Sequence, residues 1–364
     1  MKNRASSFPA RILVIRFSSL GDLVLTTPVF REIKKIAPEC HVTLLTSRGF
    51  GEILCNNPYI DDYLFHPRKE SWSELQQLIQ RLKQQQFDLI YDLHGSLRSR
   101  WICWNLRGFG TKHDVTVWRF PKRNLKRNLL VHARINLLKN ALSQREYYLQ
   151  PLQRETGSRL ASHTELYPSD KDRQTIQELM RQHGLRTGTF VCAGPSASFP
   201  LKQWPLAYFQ ELIRNLLMRQ DRIVLIGGPG EPEAEKLEAH FGEQVINLSG
   251  KLSPLATAAL LRHARFLVSN DTSLGHMAEA VGTPAMLIFG PTVREFGFAP
   301  FLLQSRLIES QLPCRPCSKT GKGHCKLTPP LQCMTDITPD QVLTVIDAFH
   351  DKISATIVDE FPAR

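Results

Sequence analysis

Short apolar runs alternate with stretches of helical periodicity along the whole chain. Arg11–Phe17 is an apolar run of strand length. A Ser-Ser-Leu-Gly turn leads from it into a helical pattern reaching about Ala37, with Pro28 in its early part. Val42–Thr46, Asp62–Phe65 and Phe87–Leu93 predict further strands, and Trp72–Gln86 has helical spacing. This alternation predicts an α/β unit with a parallel sheet covered on both faces. Residues 108–150 follow neither period clearly. The polar stretch from Gln150 to about Ser169 predicts a linker, and Ser169 or Asp170 caps a helix that Gly184 ends.

A second alternating series follows. Its strands are Thr189–Ala193, Arg222–Ile226, Val245–Leu248, Phe266–Ser269 and Pro284–Phe289. Its helices are about Leu206–Arg219, Glu233–Phe241, Pro254–Arg262 and Thr272–Val281, and Pro339–His350 predicts a last helix. The expectation is two successive Rossmann-like halves with a cleft between them: residues 1–168, residues 169–338, and a terminal helix and tail over 339–364. In such sheets ligands bind beyond the carboxyl ends of the strands, so the loops after each strand are the places to look.

Composition narrows the class. The chain has 364 residues, 42% hydrophobic and 22% charged, values of an ordinary globular protein. No apolar run approaches the ~18 to 20 residues a membrane helix needs. The first one, Ile12–Ile15, is cut short by Arg16 and predicts a strand rather than a secretion signal. Cys40, Cys55, Cys103 and Cys192 are scattered, which suits a reducing cytoplasm. The net charge of +12 implies an anionic partner. Between Arg98 and Arg134 there are ten Lys or Arg and one acid, Asp114, with Trp101, Trp104 and Trp118 among them. No nucleic-acid motif accompanies this stretch. It reads either as a solvated basic face or, preferably, as a contact for an acidic acceptor at a membrane surface.

Five places have the residue types for chemistry. In Ser18-Ser19-Leu20-Gly21-Asp22, one glycine permits a tight turn. Asp22 is either a helix-start carboxylate or a base aimed at the ligand. The loop is no G-x-G-x-x-G fingerprint, which argues against a dinucleotide cofactor. From Gly194 to Pro205, small residues, Ser196, Ser198 and Lys202 suit a phosphate, or form a plain surface loop. In Gly227-Gly228-Pro229-Gly230-Glu231, Glu231 either accepts from a ribose diol or favours the next helix's first turn. Asp271-Thr272-Ser273-Leu274-Gly275-His276 opens a helix whose free N–H groups favour a diphosphate, and His276 either reaches that anion or is structural. Cys314-x2-Cys317, Cys325 and Cys333 are compatible with zinc, with a redox-labile pair, or with reduced packing thiols, the favoured reading. Asp170-Lys171-Asp172 fits a metal-holding D-x-D pattern but reads better as a helix start.

Taken in order, Ser18–Asp22, Gly194…Lys202-x-Trp204-Pro205, the Gly-Gly loop, Asp271-Thr272…His276, Phe289-Gly290-Pro291-Thr292 and Cys314-Arg315-Pro316-Cys317…Cys333-Met334 resemble glycosyltransferase family 9, the bacterial lipopolysaccharide heptosyltransferases. The resemblance spans about residues 11 to 350. It implies a GT-B fold, two Rossmann-like domains facing each other across a cleft, and an inverting, metal-independent transfer with no cofactor. It implies ADP-heptose as donor and the acidic lipopolysaccharide inner core as acceptor, the alternatives being a transferase of the same fold that uses another nucleotide-sugar and a non-catalytic nucleotide-sugar-binding module. It also implies a cytoplasmic protein, peripheral on the inner face of the inner membrane. The family's base falls on Asp22 and its phosphate lysine on Lys202. Its donor contacts fall on Glu231, Leu252, Asp271, Thr272 and His276, and Ser196, Ser273 and Gly275 are further candidates on the donor side. Ser19, Gly21, Arg98, Arg119, Lys122 and Arg123 are the candidate acceptor contacts. The family turn commonly reads Asp-Thr-Gly; here Ser273 replaces that glycine, which bears on donor identity.

Overall fold

A computed structural model describes residues 8–67, 71–107 and 115–360, with side chains described to residue 349. Lys112 and Asp114 of the basic stretch lie outside the described residues. The chain divides into two compact units, residues 1–123 with 142–169, and residues 124–141 with 170–364.

The first unit holds five parallel strands, β1 Arg11–Ile15, β2 His41–Ser47, β3 Asp62–His66, β4 Leu89–Asp92 and β5 Thr116–Arg119, in the order β3-β2-β1-β4-β5. The helices are α1 Leu20–Val24, α2 Thr27–Ile36, α3 Trp72–Gln84 and α4 Leu97–Arg107. The expected single first helix is two. Pro28 has no N–H to offer the Val24 carbonyl, and the Thr27 hydroxyl takes that acceptor at 2.9 Å, while Thr26 caps Leu23 at 2.6 Å. Leu13, Ile15, Leu82, Ile90 and Ile102 anchor a core that sheet and helices share.

The unplaced stretch before residue 150 contains structure. α5 Asn124–Asn128 runs into a π-helical turn at Leu129–Ala133, and α6 Gln144–Thr156 follows, starting from a Ser143–Glu146 capping box. The polar stretch read as a linker therefore begins inside α6, and the irregular part runs only from Gly157 to Ser169. Residues 124–141, read with the N-terminal half, group with the second unit. Leu130, Val131 and Leu138 bury against Phe296, and Arg127 donates to the Phe296 carbonyl at 2.7 Å.

The second unit has six parallel strands, β6 Phe190–Gly194, β7 Arg222–Leu225, β8 Val245–Asn247, β9 Phe266–Asn270, β10 Ala285–Phe289 and β11 Arg306–Glu309, in the order β11-β10-β9-β6-β7-β8. Its helices are α7 Asp170–Gln182, α8 Leu206–Met218, α9 Pro232–Phe241, α10 Pro254–Leu261, α11 Ser273–Ala280, α12 Gln332–Thr335 and α13 Pro339–Glu360. α13, read apart from both halves, packs into this core through Val342, Ile346 and Phe349, the last edge-on to Phe266. Asp170 and Asp172 sit in the first turn of α7, and Asp170 pairs with Arg173. Counted within its unit, each sheet is doubly wound, and the strand order reverses between its first and fourth strands. No described helix is long and apolar enough to cross a membrane.

Candidate active site

In the first unit the reversal lies between β1 and β4. The chain leaves β1 through Arg16 and turns at Ser19 into α1, which places Asp22 in its first turn. Asp22 is a helix-start residue, since Ser19 N and Oγ donate to its Oδ2 at 3.4 and 3.0 Å. It is also gripped from the sheet side. Arg16 Nη2 lies 2.7 Å from Oδ2, and Tyr148 Oη donates to Oδ1 at 2.9 Å. The Asp22 side chain keeps 21% of its surface exposed and Arg16 only 8%. Burial alone would raise the Asp22 pKa. The Arg16 charge and the Tyr148 and Ser19 bonds outweigh it and hold the carboxyl below its usual range. Burial pushes Tyr148 upward, so it stays a donor. Arg16 is fixed in turn by the Leu93 carbonyl at 2.6 Å, at the end of β4.

The loop after β4 completes this half. Asp92 is fully buried and accepts from Gly95 N at 2.7 Å, His94 N at 3.1 Å, Ser99 Oγ at 3.1 Å and Arg119 Nε at 2.8 Å. Burial and the nearby Arg16 charge lower His94 to about 4, so its ring is neutral near pH 7. Lys122 lies against Gly95, where a Cβ would come within 2.6 Å of its Cε.

The basic stretch does not form one surface. Arg123 is buried, bonds to Leu142 O and Gln144 Oε1, and lies 3.5 Å over the Tyr147 ring. Arg127 and Arg134 serve carbonyls of the second unit, at Phe296, Cys314 and Pro316. Arg119 is committed to Asp92. Of the four basic acceptor candidates, Arg123 is therefore a packing residue. Lys122 stays exposed and Arg98 half-buried beside the Phe17 ring.

In the second unit the reversal lies between β6 and β9. Asn270, at the end of β9, reaches Pro195 O and Ser196 O and receives Trp204 N. That holds the 194–204 loop over the strand ends. Packing is close at Gly194, where a Cβ would lie 2.6 Å from a Leu274 methyl and 3.0 Å from the Ser269 Cβ. Lys202 Nζ sits 2.6 Å from Asp271 Oδ2, and Thr292 Oγ1 donates to the same oxygen at 2.7 Å. Thr272 is the N-cap of α11, accepting from Leu274 N. Ser273 follows half-buried, and Gly275 packs on Leu287. His276 is buried, tilted against Phe298.

Ser196 donates to Glu233 Oε2 at 2.9 Å. Glu231 makes no cap bond to α9 and folds back over Gly227 and Gly228. Burial raises its pKa. The Ser249 hydroxyl beside Gly227 is buried with no hydrogen-bond partner among the described residues. Leu252 is half-buried just beyond.

Arg16, Tyr148, His94, Asp92 and Arg315 were not singled out from sequence. Arg16 had a signal, a charge ending a buried strand; Tyr148, in an aperiodic stretch, had none. Arg315, inside the Cys-x-Pro-Cys element, donates to Gly290 O at 2.5 Å, Thr292 O at 2.9 Å and Glu309 Oε2 at 2.8 Å. It thereby fixes the loop that carries Thr292. All eight cysteines are free. Among the described residues no group of three or more His, Cys, Asp or Glu has metal-holding geometry.

The pair of doubly wound parallel sheets, with polar side chains gathered at each reversal, defines a two-sheet α/β fold. Residues 75–327 match the family described as "Glycosyltransferase family 9 (heptosyltransferase)", and the chain belongs to it. It is 27% identical to lipopolysaccharide heptosyltransferase 1 of Pseudomonas aeruginosa, over 93% of this chain and 97% of that one. It is 24% identical to lipooligosaccharide heptosyltransferase 2 of Haemophilus influenzae, over 91% and 97%. Its fold matches E. coli ADP-heptose LPS heptosyltransferase II with a TM-score of 0.72 at 20% identity, covering 94% of this chain and 99% of that one. The E. coli heptosyltransferase WaaC with ADP-2-deoxy-2-fluoro heptose gives 0.66 at 19%, over 93% and 99%.

Proposed function

We propose that this glycosyltransferase moves a heptose from ADP-heptose to the acidic inner core of lipopolysaccharide, with inversion, Asp22 serving as general base. The observation that carries the reading is the Asp22 carboxylate, ionised and locked in one orientation at the β1–β4 reversal by Arg16, Tyr148 and Ser19. A group held below the usual carboxylate range is a weak base toward a resting hydroxyl. It takes the proton as the hydroxyl oxygen bonds to the anomeric carbon and becomes acidic. The oxocarbenium character of the transition state makes that order reasonable.

The departing diphosphate needs positive charge. Lys202, now paired with Asp271, supplies it by exchanging that carboxylate for phosphate oxygens, and the N-terminal amides of α11 add donors. No step in this scheme calls for a metal. Glu231 over the Gly-Gly turn is suited to a ribose diol. Ser196, Leu252, Ser273, Gly275 and His276 complete the proposed donor site. Ser19, Gly21, Arg98, Arg119 and Lys122 form the acceptor side, Arg119 by way of Asp92. The names of the relatives, a lipopolysaccharide and a lipooligosaccharide heptosyltransferase, support a lipopolysaccharide-type acceptor, and a cytoplasmic, membrane-peripheral location goes with that reading.

Asp22→Asn keeps shape and loses the base. Turnover should fall by about 10² to 10⁴, with ADP affinity by calorimetry unchanged. Turnover near the parent's would remove Asp22 from the role. A thermal-shift ranking of ADP against UDP and GDP tests the donor, with ADP expected to stabilise most.

A further inference from the structure

α4 has two apolar sides. Ser99, Ile102, Cys103 and Leu106 face the core. Leu97, Trp101 and Trp104, spaced i, i+4, i+7, form a second stripe on the outside, and they are 88%, 37% and 58% exposed. Trp72 opens α3, is 57% exposed, and extends the stripe sideways. Its ring centroid lies 5.4 Å from that of Trp101, which lies 5.0 Å from that of Trp104. Large exposed aromatic groups on a soluble face mark an interaction site.

The charges carried by α3 and α4 are almost all of one sign. α3 and α4 carry Arg81, Lys83, Arg98, Arg100 and Arg107, against the single acid Glu74. Glu74 is occupied by the Ser71 amide at 2.7 Å. Apart from Arg98, which lies beside Phe17 on the proposed acceptor side, this surface shares no residue with the Asp22 cluster or the Lys202 site.

We infer that this face is a docking surface for an anionic lipid bilayer, with the indoles and Leu97 entering the headgroup boundary and the arginines and lysine pairing with lipid phosphates. Tryptophan at that depth keeps its ring in the apolar layer and its N–H wet. Basic residues beside it gain from the negative surface potential. A second copy of the chain would set two rims of like charge against each other. A single-stranded nucleic acid would use the indoles for stacking but leave Leu97 without a role. The inference does not depend on the transfer chemistry, because vesicle binding is read without donor or acceptor; either reading can fail alone.

The test uses the full chain and vesicles of phosphatidylcholine with or without phosphatidylglycerol, some carrying brominated acyl chains. The protein should float with the anionic vesicles only, and brominated lipid should quench its fluorescence. Trp204 is fully buried and Trp118 is half-buried on β5, so the quenching that the tryptophan variant below loses is what reports the outer indoles. The Trp72→Gln, Trp101→Gln, Trp104→Gln variant should lose binding by at least tenfold with its thermal unfolding unchanged. Arg100→Glu with Arg107→Glu, which keeps every tryptophan, should lose about fivefold or more per residue. The inference is overturned by a parent protein that ignores anionic vesicles, or by variants that bind as the parent does. It is equally overturned by a parent dimer that the tryptophan variant makes monomeric, or by oligonucleotide binding at this face in place of lipid.

Discussion

The Asp22 cluster shows how one residue serves two ends. Sequence left it open whether this aspartate starts a helix or takes a proton, and the geometry makes those roles compatible. Ser19 uses one oxygen for the cap, while Tyr148 and Arg16 set the plane of the carboxylate. The pH dependence follows from the same contacts. With its pKa below the usual carboxylate range, Asp22 is ionised through the neutral and mildly acidic region, and its acid limb lies below that range. Arg16→Met removes the opposing charge and leaves burial, the largest influence, countered only by the Tyr148 and Ser19 bonds. The limb of kcat/KM should then move up toward neutral pH, and Tyr148→Phe should move it the same way by less. A limb unmoved by Arg16→Met would mean that another group sets it. At Lys202, replacement by Met should weaken ADP binding in calorimetry, since Asp271 supplies no positive charge in its place.

At the scale of elements, close approach matters as much as polarity. Gly275 of α11 lies where a Cβ would meet Leu287 of β10 at 2.7 Å. Gly275→Ala should cost about 1 to 3 kcal/mol by overpacking, seen as a lower unfolding midpoint. An unchanged midpoint would mean that the helix shifts freely on the sheet. This contact was hidden in a sequence that nonetheless displayed most strands. β1, β6, β7, β9 and β10 were legible because each is a short apolar run bounded by turn residues. β5 and β11 were not, because Thr116–Arg119 and Arg306–Glu309 carry charges at their ends and are short edge strands. α4 was missed for a related reason. With apolar residues on two sides, it has no single stripe to betray it. Asp22, Lys202 and Asp271 were legible from their places after apolar runs. Tyr148 meets Asp22 from 126 residues away, which no local pattern encodes, while Arg16 showed only as a charge ending an apolar run.

At the scale of the whole molecule, sequence order and structural membership part company. Residues 124–141 precede the last helix of the first unit yet belong to the second. Arg127 there lies 5.6 Å over Phe296 and 5.2 Å over Phe298. Arg127→Ala should destabilise by about 1 to 3 kcal/mol. Hydrogen exchange should quicken in peptides around Phe296 and leave those of β1 and β2 as they were. Quickening in the first unit alone would place the segment there instead. The shared winding has a further consequence. The proposed reacting groups leave from β1 and β6, and their nearest supports from β4 and β9, each of these strands paired on both edges. Amides so placed open last, close to the global limit. The proposed reacting groups should therefore stand next to the slowest-exchanging backbone of each unit, and a substitution that loosens a peripheral strand should be felt in the lifetime of the protein well before it is felt in the alignment of those groups.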